Sequence, residues 1–155
     1  MHRILFVCYG NICRSTMAES VMTDLVRKAG REGEFVIDSA GTHNPNSGMR
    51  PHPKTVRTLQ RKGVPLVPHR ARQVERDEYD DWDLVVGMDS MNARDLRRTF
   101  DGDPAHKVHL LLEYAPGRTR DVDDPWFTDD YAATYRDVLA GCRGLLAWVI
   151  GDRAG

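Results

Sequence analysis

Short apolar runs rich in β-branched residues alternate along this chain with longer segments of helical spacing, and this alternation limits its possible folds more than any other feature. The predicted strands cover residues 3–8, 34–38, 83–88 and 107–112. Helical spacing of apolar residues predicts helices over residues 15–29, 53–62, 90–99 and 128–150, with Ser90 as the cap of the third. Strands that alternate with helices form parallel sheets with both faces covered. The pattern therefore predicts an α/β fold.

Length and composition favour a single globular domain over residues 1–155. Apolar residues make up 41% and charged residues 29% of the chain. Lys and Arg number 22 against 23 Asp and Glu, so the net charge of −1 gives no general attraction to nucleic acid or to an anionic membrane. The apolar run at residues 4–7 is too short for a signal peptide or a membrane span. We expect a cytoplasmic protein without nucleic-acid or membrane partners.

The loop that follows the first predicted strand is the most unusual segment of the chain. It reads CYGNICRS from Cys8 to Ser15 and leads into a predicted helix. Backbone N–H groups at a helix start converge on one point, and the helix dipole adds partial positive charge there. Gly10 and Asn11 are expected to supply unusual backbone angles, and Arg14 a planar fork for two phosphate oxygens. The loop therefore predicts an anion-binding nest, with Ser15 as N-cap.

A cysteine inside such a nest is expected to be a thiolate at neutral pH and to attack a bound phosphoryl group in line. By itself, the Cys-x5-Arg spacing fits a buried structural cysteine with a surface arginine as well as it fits a catalytic pair. The Gly-Asn within the loop, the Ser after it, and the flanking strand and helix favour the catalytic interpretation, with Cys8 as nucleophile.

The segment CYGNICRS resembles the phosphate-binding loop of low-molecular-weight protein-tyrosine phosphatases, and the resemblance extends over nearly the whole chain. It implies a phosphatase-I-like three-layer α/β/α domain with a four-stranded parallel sheet in the order 2-1-3-4. It also implies hydrolysis of phosphotyrosine in proteins through a phosphocysteine on Cys8. The residues implied to bind the phosphate or a similar oxyanion are Arg14 and its neighbours Tyr9, Gly10, Asn11, Ile12, Cys13 and Ser15.

A phosphatase of this kind needs an acid that protonates the leaving oxygen. In the family this acid is the Asp immediately before a Pro in the loop that precedes the last helix, and the matching residue is Asp124. Asp123 is the alternative, although Pro125 restricts the backbone of Asp124 specifically. By the same resemblance, Ser39 and His69 support the loop through Asn11.

The expected substrate cleft departs from the family pattern. The place of the usual aromatic wall, counted from Gly41 and Thr42, is held by Pro45. Tyr9 and Trp126 are the remaining candidates to enclose a phenyl ring, with Phe127 beside them. Pro45 leaves a phosphatase of small phosphate esters open as an alternative.

Two further questions remain open in the sequence. An arsenate reductase of the same fold, coupled to a small thiol, would need only Cys8, although Asp124 would then have no clear task. Cys13 fits a reversible disulfide with Cys8 and simple packing equally well. The residues suggest no metal site and no cofactor, because His106 and His109 lack further ligands nearby.

Overall fold

The computed structural model describes residues 1–117 and 120–154, and its centre is a parallel sheet. The strands are β1 (His2–Cys8), β2 (Phe35–Gly41), β3 (Leu84–Gly87) and β4 (Val108–Leu110). They lie in the order β2-β1-β3-β4, and every neighbouring pair is parallel. The predicted α/β class and the 2-1-3-4 strand order are thus confirmed. The predicted domain boundary of 1–155 includes residues 118, 119 and 155, which lie outside the described residues.

Alternate residues of β1 enter two different cores, because successive side chains of a strand point to opposite faces of the sheet. Ile4 and Phe6 belong to the core on one face, and Leu5 and Val7 to the core on the other. All four side chains are fully buried. This burial on both faces explains why the strand is a continuous apolar run instead of an alternating one.

The described part of the chain contains five α-helices, and four of them match the predicted helices closely. They are α1 (Arg14–Lys28), α2 (Pro53–Arg61), α3 (Ser90–Thr99), α4 (Pro125–Thr128) and α5 (Tyr131–Ala154). The helices α1, α2 and α5 contribute to the core on one face, and α3 to the core on the other. The three-layer α/β/α arrangement follows.

The predicted last helix is divided, and two predicted caps are wrong. Asp129 takes a left-handed conformation with φ of 56°, which ends α4 before α5 begins. Asp89, rather than Ser90, is the N-cap of α3, because its carboxylate accepts from the Asn92 N–H. Ser15 is the second residue of α1 and not its cap.

A glycine on α5 allows that helix to lie directly against a 3-10 helix at Leu111–Tyr114. A Cβ atom at Gly144 would stand 1.7 Å from the backbone oxygen of Tyr114, a distance too short for any side chain at this position. Cys142, two residues earlier on the same helix, is fully buried. Within the described residues, no helix combines the length and the apolar character that crossing a membrane requires.

Candidate functional site

The end of β1 positions the loop that the sequence analysis singled out. Cys8 pairs with Gly41 across the parallel sheet, and the loop then turns into α1, which begins at Arg14. Asn11 has a φ of 60°, in the left-handed region that it tolerates better than most residues. The expectation that Gly10 also needs such an angle is wrong, because its φ is not positive. A Cβ at Gly10 would instead lie 2.4 Å from Asn46 Nδ2.

Asn11 uses its whole side chain to join the loop to two other segments. Its Nδ2 donates to Ser15 Oγ at 2.8 Å and to Ser39 Oγ at 3.0 Å. Its Oδ1 accepts from His69 Nε2 at 2.7 Å and from the Arg72 N–H at 3.1 Å. An amide can donate two hydrogen bonds and accept two, so this side chain, only 1% exposed, is fully satisfied. The bonds hold the left-handed turn in place.

A buried acid lies behind this turn. Ser39 Oγ donates to Glu19 Oε1 at 2.6 Å, and His69 Nδ1 lies 3.4 Å from the same oxygen. Burial raises the pKa of Glu19 to about 7, and burial also lowers the pKa of His69. Because His69 Nε2 faces an acceptor, it carries a proton, and its Nδ1 then faces the Glu19 and Asp38 carboxyl groups. His69 Nδ1 and a carboxylate oxygen are both acceptors, so this contact is favourable only when one of them carries a proton.

Glu19, Asp38 and His69 are also the one group in the described part of the chain whose ligand atoms are close enough for a metal ion. Asp38 is already paired with Arg72 at 3.2 Å, and Glu19 accepts from Ser39. A cation would have to displace both contacts. The absence of a metal site stays a prediction.

Cys8 and Arg14 lie at opposite ends of the loop and are both buried, with 3% and 2% exposure. Cys8 Sγ is 3.1 Å from Ser15 Oγ. Since Ser15 Oγ accepts from Asn11 Nδ2, its own proton is available to Cys8. Arg14 Nη1 donates to Asp89 at 2.7 Å and to the Val122 oxygen at 2.9 Å. Burial acts to lower the pKa of Arg14, but the nearby Cys8, Asp89 and Asp124 raise it overall.

Asp124 occupies the N-cap position of α4 and faces the loop. Its Oδ1 accepts from the Trp126 N–H at 3.0 Å, and its Oδ2 lies 3.4 Å from Arg14 Nη2. Asp123 is exposed and makes no such contact with Arg14. The structure therefore brings Asp124 toward Arg14 and leaves the alternative acid in solvent.

The aromatic side chains that were expected to enclose a substrate ring have other neighbours. Tyr9 stacks on His43, with ring centroids 4.3 Å apart. Trp126 meets the ring of His52 edge-on at 6.1 Å. Tyr9 and Trp126 remain 50% and 65% exposed, so both present apolar surface near the loop. Phe127 is 83% exposed.

Sequence reasoning missed His43 and His52. His43 lies two residues after the end of β2, and the parallel register of Cys8 with Gly41 places it beside Tyr9. The His52 N–H donates to the Ile12 oxygen at 2.8 Å, and its Nδ1 accepts from the Lys54 N–H at 3.0 Å. His52 thus caps α2 while it contacts the loop, a role that no local motif indicates.

Cys13 lies beneath the loop, 5% exposed, with its Sγ 3.5 Å from the Tyr131 hydroxyl. Burial raises the pKa of Cys13 to about 11. Cys8 and Cys13 are both free thiols in this structure. The disulfide between them stays a prediction.

Comparison with known proteins identifies the family. The chain matches the family model "Low molecular weight phosphotyrosine protein phosphatase" over residues 3–154. It is 38% identical over 148 residues to the low molecular weight protein-tyrosine-phosphatase YfkJ of Bacillus subtilis, covering 95% of each chain. It is 42% identical over 127 residues to the low molecular weight phosphotyrosine protein phosphatase of Schizosaccharomyces pombe, covering 81% of each. The crystal structure of YfkJ matches with a TM-score of 0.95 at 37% identity, covering 98% of this chain and 96% of that one. The chain therefore belongs to the low molecular weight phosphotyrosine protein phosphatase family and is an enzyme of this class.

Proposed function

We propose that this enzyme hydrolyses phosphotyrosine in proteins through a phosphocysteine intermediate on Cys8. The observation that carries the proposal is that Arg14 reaches Asp124 at 3.4 Å from the loop that also holds Cys8. A nucleophile, a cation for the phosphoryl oxygens and an acid for the leaving group thus share one site. Trp126 and Tyr9 would flank the substrate ring.

In the first step the Cys8 thiolate attacks phosphorus, so that a sulfur–phosphorus bond forms while the bond to the phenolic oxygen breaks. Arg14 and the N–H groups of residues 9–14 bind the three equatorial oxygens, where charge develops in the transition state. Asp124 gives its proton to the departing phenolate. The buried contacts of Arg14 with Asp89 and Val122 support this role, because they fix the orientation of the guanidinium.

In the second step Asp124, now a carboxylate, takes a proton from a water molecule that attacks phosphorus. The sulfur–phosphorus bond breaks, inorganic phosphate leaves, and Cys8 returns to the thiolate. The Ser15 hydroxyl, 3.1 Å from Cys8 Sγ, can donate to the sulfur as negative charge returns to it. Each group is thereby restored for the next turnover.

The role of Asn11, Ser39 and His69 in this proposal is to hold the loop. Their bonds fix the left-handed turn, and the turn orients the loop N–H groups toward one point. We also propose a cytoplasmic location, because a reactive thiolate persists best in a reducing compartment.

The test is release of p-nitrophenol from p-nitrophenyl phosphate near neutral to mildly acidic pH, in the presence of a chelator. The native protein should turn over, vanadate should block it, and Cys8→Ser should abolish it. Cys142→Ser is the matched control, since this buried thiol lies on α5 and should leave turnover unchanged. Folded, reduced protein without turnover would contradict the proposal, and arsenate with a thiol reductant would then test the reductase alternative.

A further inference from the structure

A groove of about 1030 Å³ lies beside His69, and none of its lining residues is a reacting group in the proposed chemistry. It is formed by β2, the start of α2 and the segment that carries His69. Four arginines line it, Arg50, Arg57, Arg70 and Arg72, against a single carboxylate, Asp38. On a chain whose net charge is −1, this is a local concentration of positive charge.

Within the residues that the structure describes, three of the four arginines form no ion pair with an acidic group. In that part of the chain the side chains of Arg50 and Arg57 make no hydrogen bond or ion pair, and the Arg70 side chain donates only to the backbone oxygen of Gly48, at 3.2 Å. Arg72 differs, because it is held by Asp38 at 3.2 Å and by Glu78 at 3.0 Å. The groove thus offers guanidinium groups whose geometry suits carboxylates and phosphates.

The groove also has an apolar part. Pro51, Pro53, Leu66 and Pro68 line it together with the arginines. The volume is at the upper end of the roughly 300–1,000 Å³ found for small-molecule sites. An extended segment that alternates acidic and apolar side chains would contact both the guanidinium groups and the apolar residues, whereas a small inorganic anion would leave the apolar residues uncovered.

The groove also contacts the loop that holds Cys8. His69 lines it and donates to Asn11 at 2.7 Å. Pro51 and Pro53 flank His52, whose N–H donates to Ile12. A segment bound in the groove would therefore lie one layer of side chains away from the proposed phosphate site.

We propose that this groove is a docking site for an acidic, partly apolar segment of the phosphoprotein substrate. The role of the groove in catalysis rests on the proposed phosphatase function, because docking would raise the concentration of the phosphotyrosine near Cys8. The binding itself does not depend on that function, so the two can fail separately.

The first experiment measures fluorescence anisotropy with a labelled peptide of alternating Glu and Leu that carries no phosphate. The native enzyme should bind it, and binding should weaken as salt is added. The double variant Arg50→Glu/Arg57→Glu should raise Kd by about tenfold or more. The control Arg97→Glu/Arg98→Glu makes the same change in net charge on α3, outside the groove, and should have a smaller effect. If the charge reversal prevents folding, the neutral double variant Arg50→Gln/Arg57→Gln replaces it in the same measurement.

The second experiment compares phosphotyrosine peptides with and without an acidic extension. The groove variant should raise KM for the extended peptide, leave its kcat unchanged, and leave p-nitrophenyl phosphate turnover unchanged. Absence of peptide binding, equal losses in the groove and control variants, or displacement of the peptide by vanadate would overturn the docking proposal. Peptide binding without any phosphatase activity would instead overturn only the proposed function.

Discussion

Arg14 and Asp89 are joined by a hydrogen-bonded ion pair of 2.7 Å between residues that lie 75 positions apart in the chain. One Asp89 oxygen accepts from Arg14, and the other accepts from the Asn92 N–H at the start of α3. The residue that caps a helix on one face of the sheet thus also fixes the guanidinium proposed to bind phosphate. Packing of α3 and orientation of the site are coupled through this carboxylate.

Asp89→Asn should weaken phosphate binding and lower stability. Asn keeps an oxygen for the α3 cap but removes the negative charge that faces the buried Arg14. We expect the free energy of unfolding to fall by about 1–3 kcal/mol, and inhibition by inorganic phosphate to weaken. Urea unfolding and the inhibition constant measure the two effects.

Asp121→Asn is the control for this variant. Asp121 accepts from the Ser90 N–H and hydroxyl beside the same helix start, whereas the Arg14 side chain donates to Asp89, Val122 and Asp124. Equal changes in phosphate inhibition for both variants would show that the Arg14 contact has no special role.

Replacement of Asn11 by Ala and by Gly separates two contributions of this residue. Both variants lose the bonds to Ser15, Ser39 and His69. Only Ala must also adopt a φ near 60° with a Cβ atom, which costs about 1–2 kcal/mol. Asn11→Ala should therefore unfold at lower urea concentration than Asn11→Gly. Equal urea midpoints for the two variants would contradict this prediction and would mean that the turn relaxes when Asn11 is replaced.

Glu19→Gln should change how stability depends on pH. The pKa of Glu19 is raised to about 7 in the folded protein from an ordinary 4.5, so the folded state keeps a proton that the unfolded state releases. This contribution is fully present below pH 4.5 and is lost as pH rises through 7. The slope it adds is at most about 1.4 kcal/mol per pH unit.

The free energy of unfolding, measured at several pH values across this window, should therefore fall less steeply with rising pH in Glu19→Gln than in the native protein. Glu32→Gln, at an exposed position, is the control and should follow the native profile. If the Glu19 variant also follows the native profile, the raised pKa is contradicted.

Asp124→Asn should slow alkyl phosphates far more than aryl phosphates. A phenolate departs readily without protonation, whereas an alkoxide does not, and acid catalysis is worth about 10²–10⁴-fold. Because Asp124 also acts in the second step, which is the same for both substrates, the difference is measured in kcat/KM, which reports only the steps up to phosphorylation of Cys8. Asp123→Asn should leave both rates near native values, because this neighbour is exposed. Equal losses for the two substrates would count against Asp124 as the acid.

The local parts of this protein could be predicted from its sequence. The four strands, the main helices and the loop from Cys8 to Arg14 depend on residues close together in the chain, where periodicity and turn chemistry act. The left-handed conformation of Asn11 is such a local property. The resemblance of CYGNICRS to a known loop extended these local signals to the order of the strands and to the choice of Asp124.

Only the tertiary structure decided which distant groups meet. The sequence placed Asp123 and Asp124 side by side, but the position of α4 turns one toward Arg14 and the other to solvent. The contact of His52 with Ile12, the ion pair of Asp89 with Arg14, and the arginine groove also join segments far apart in the chain. Such contacts depend on strand order and helix packing, which bring together residues that share no local pattern, and for that reason no spacing in the sequence could indicate them.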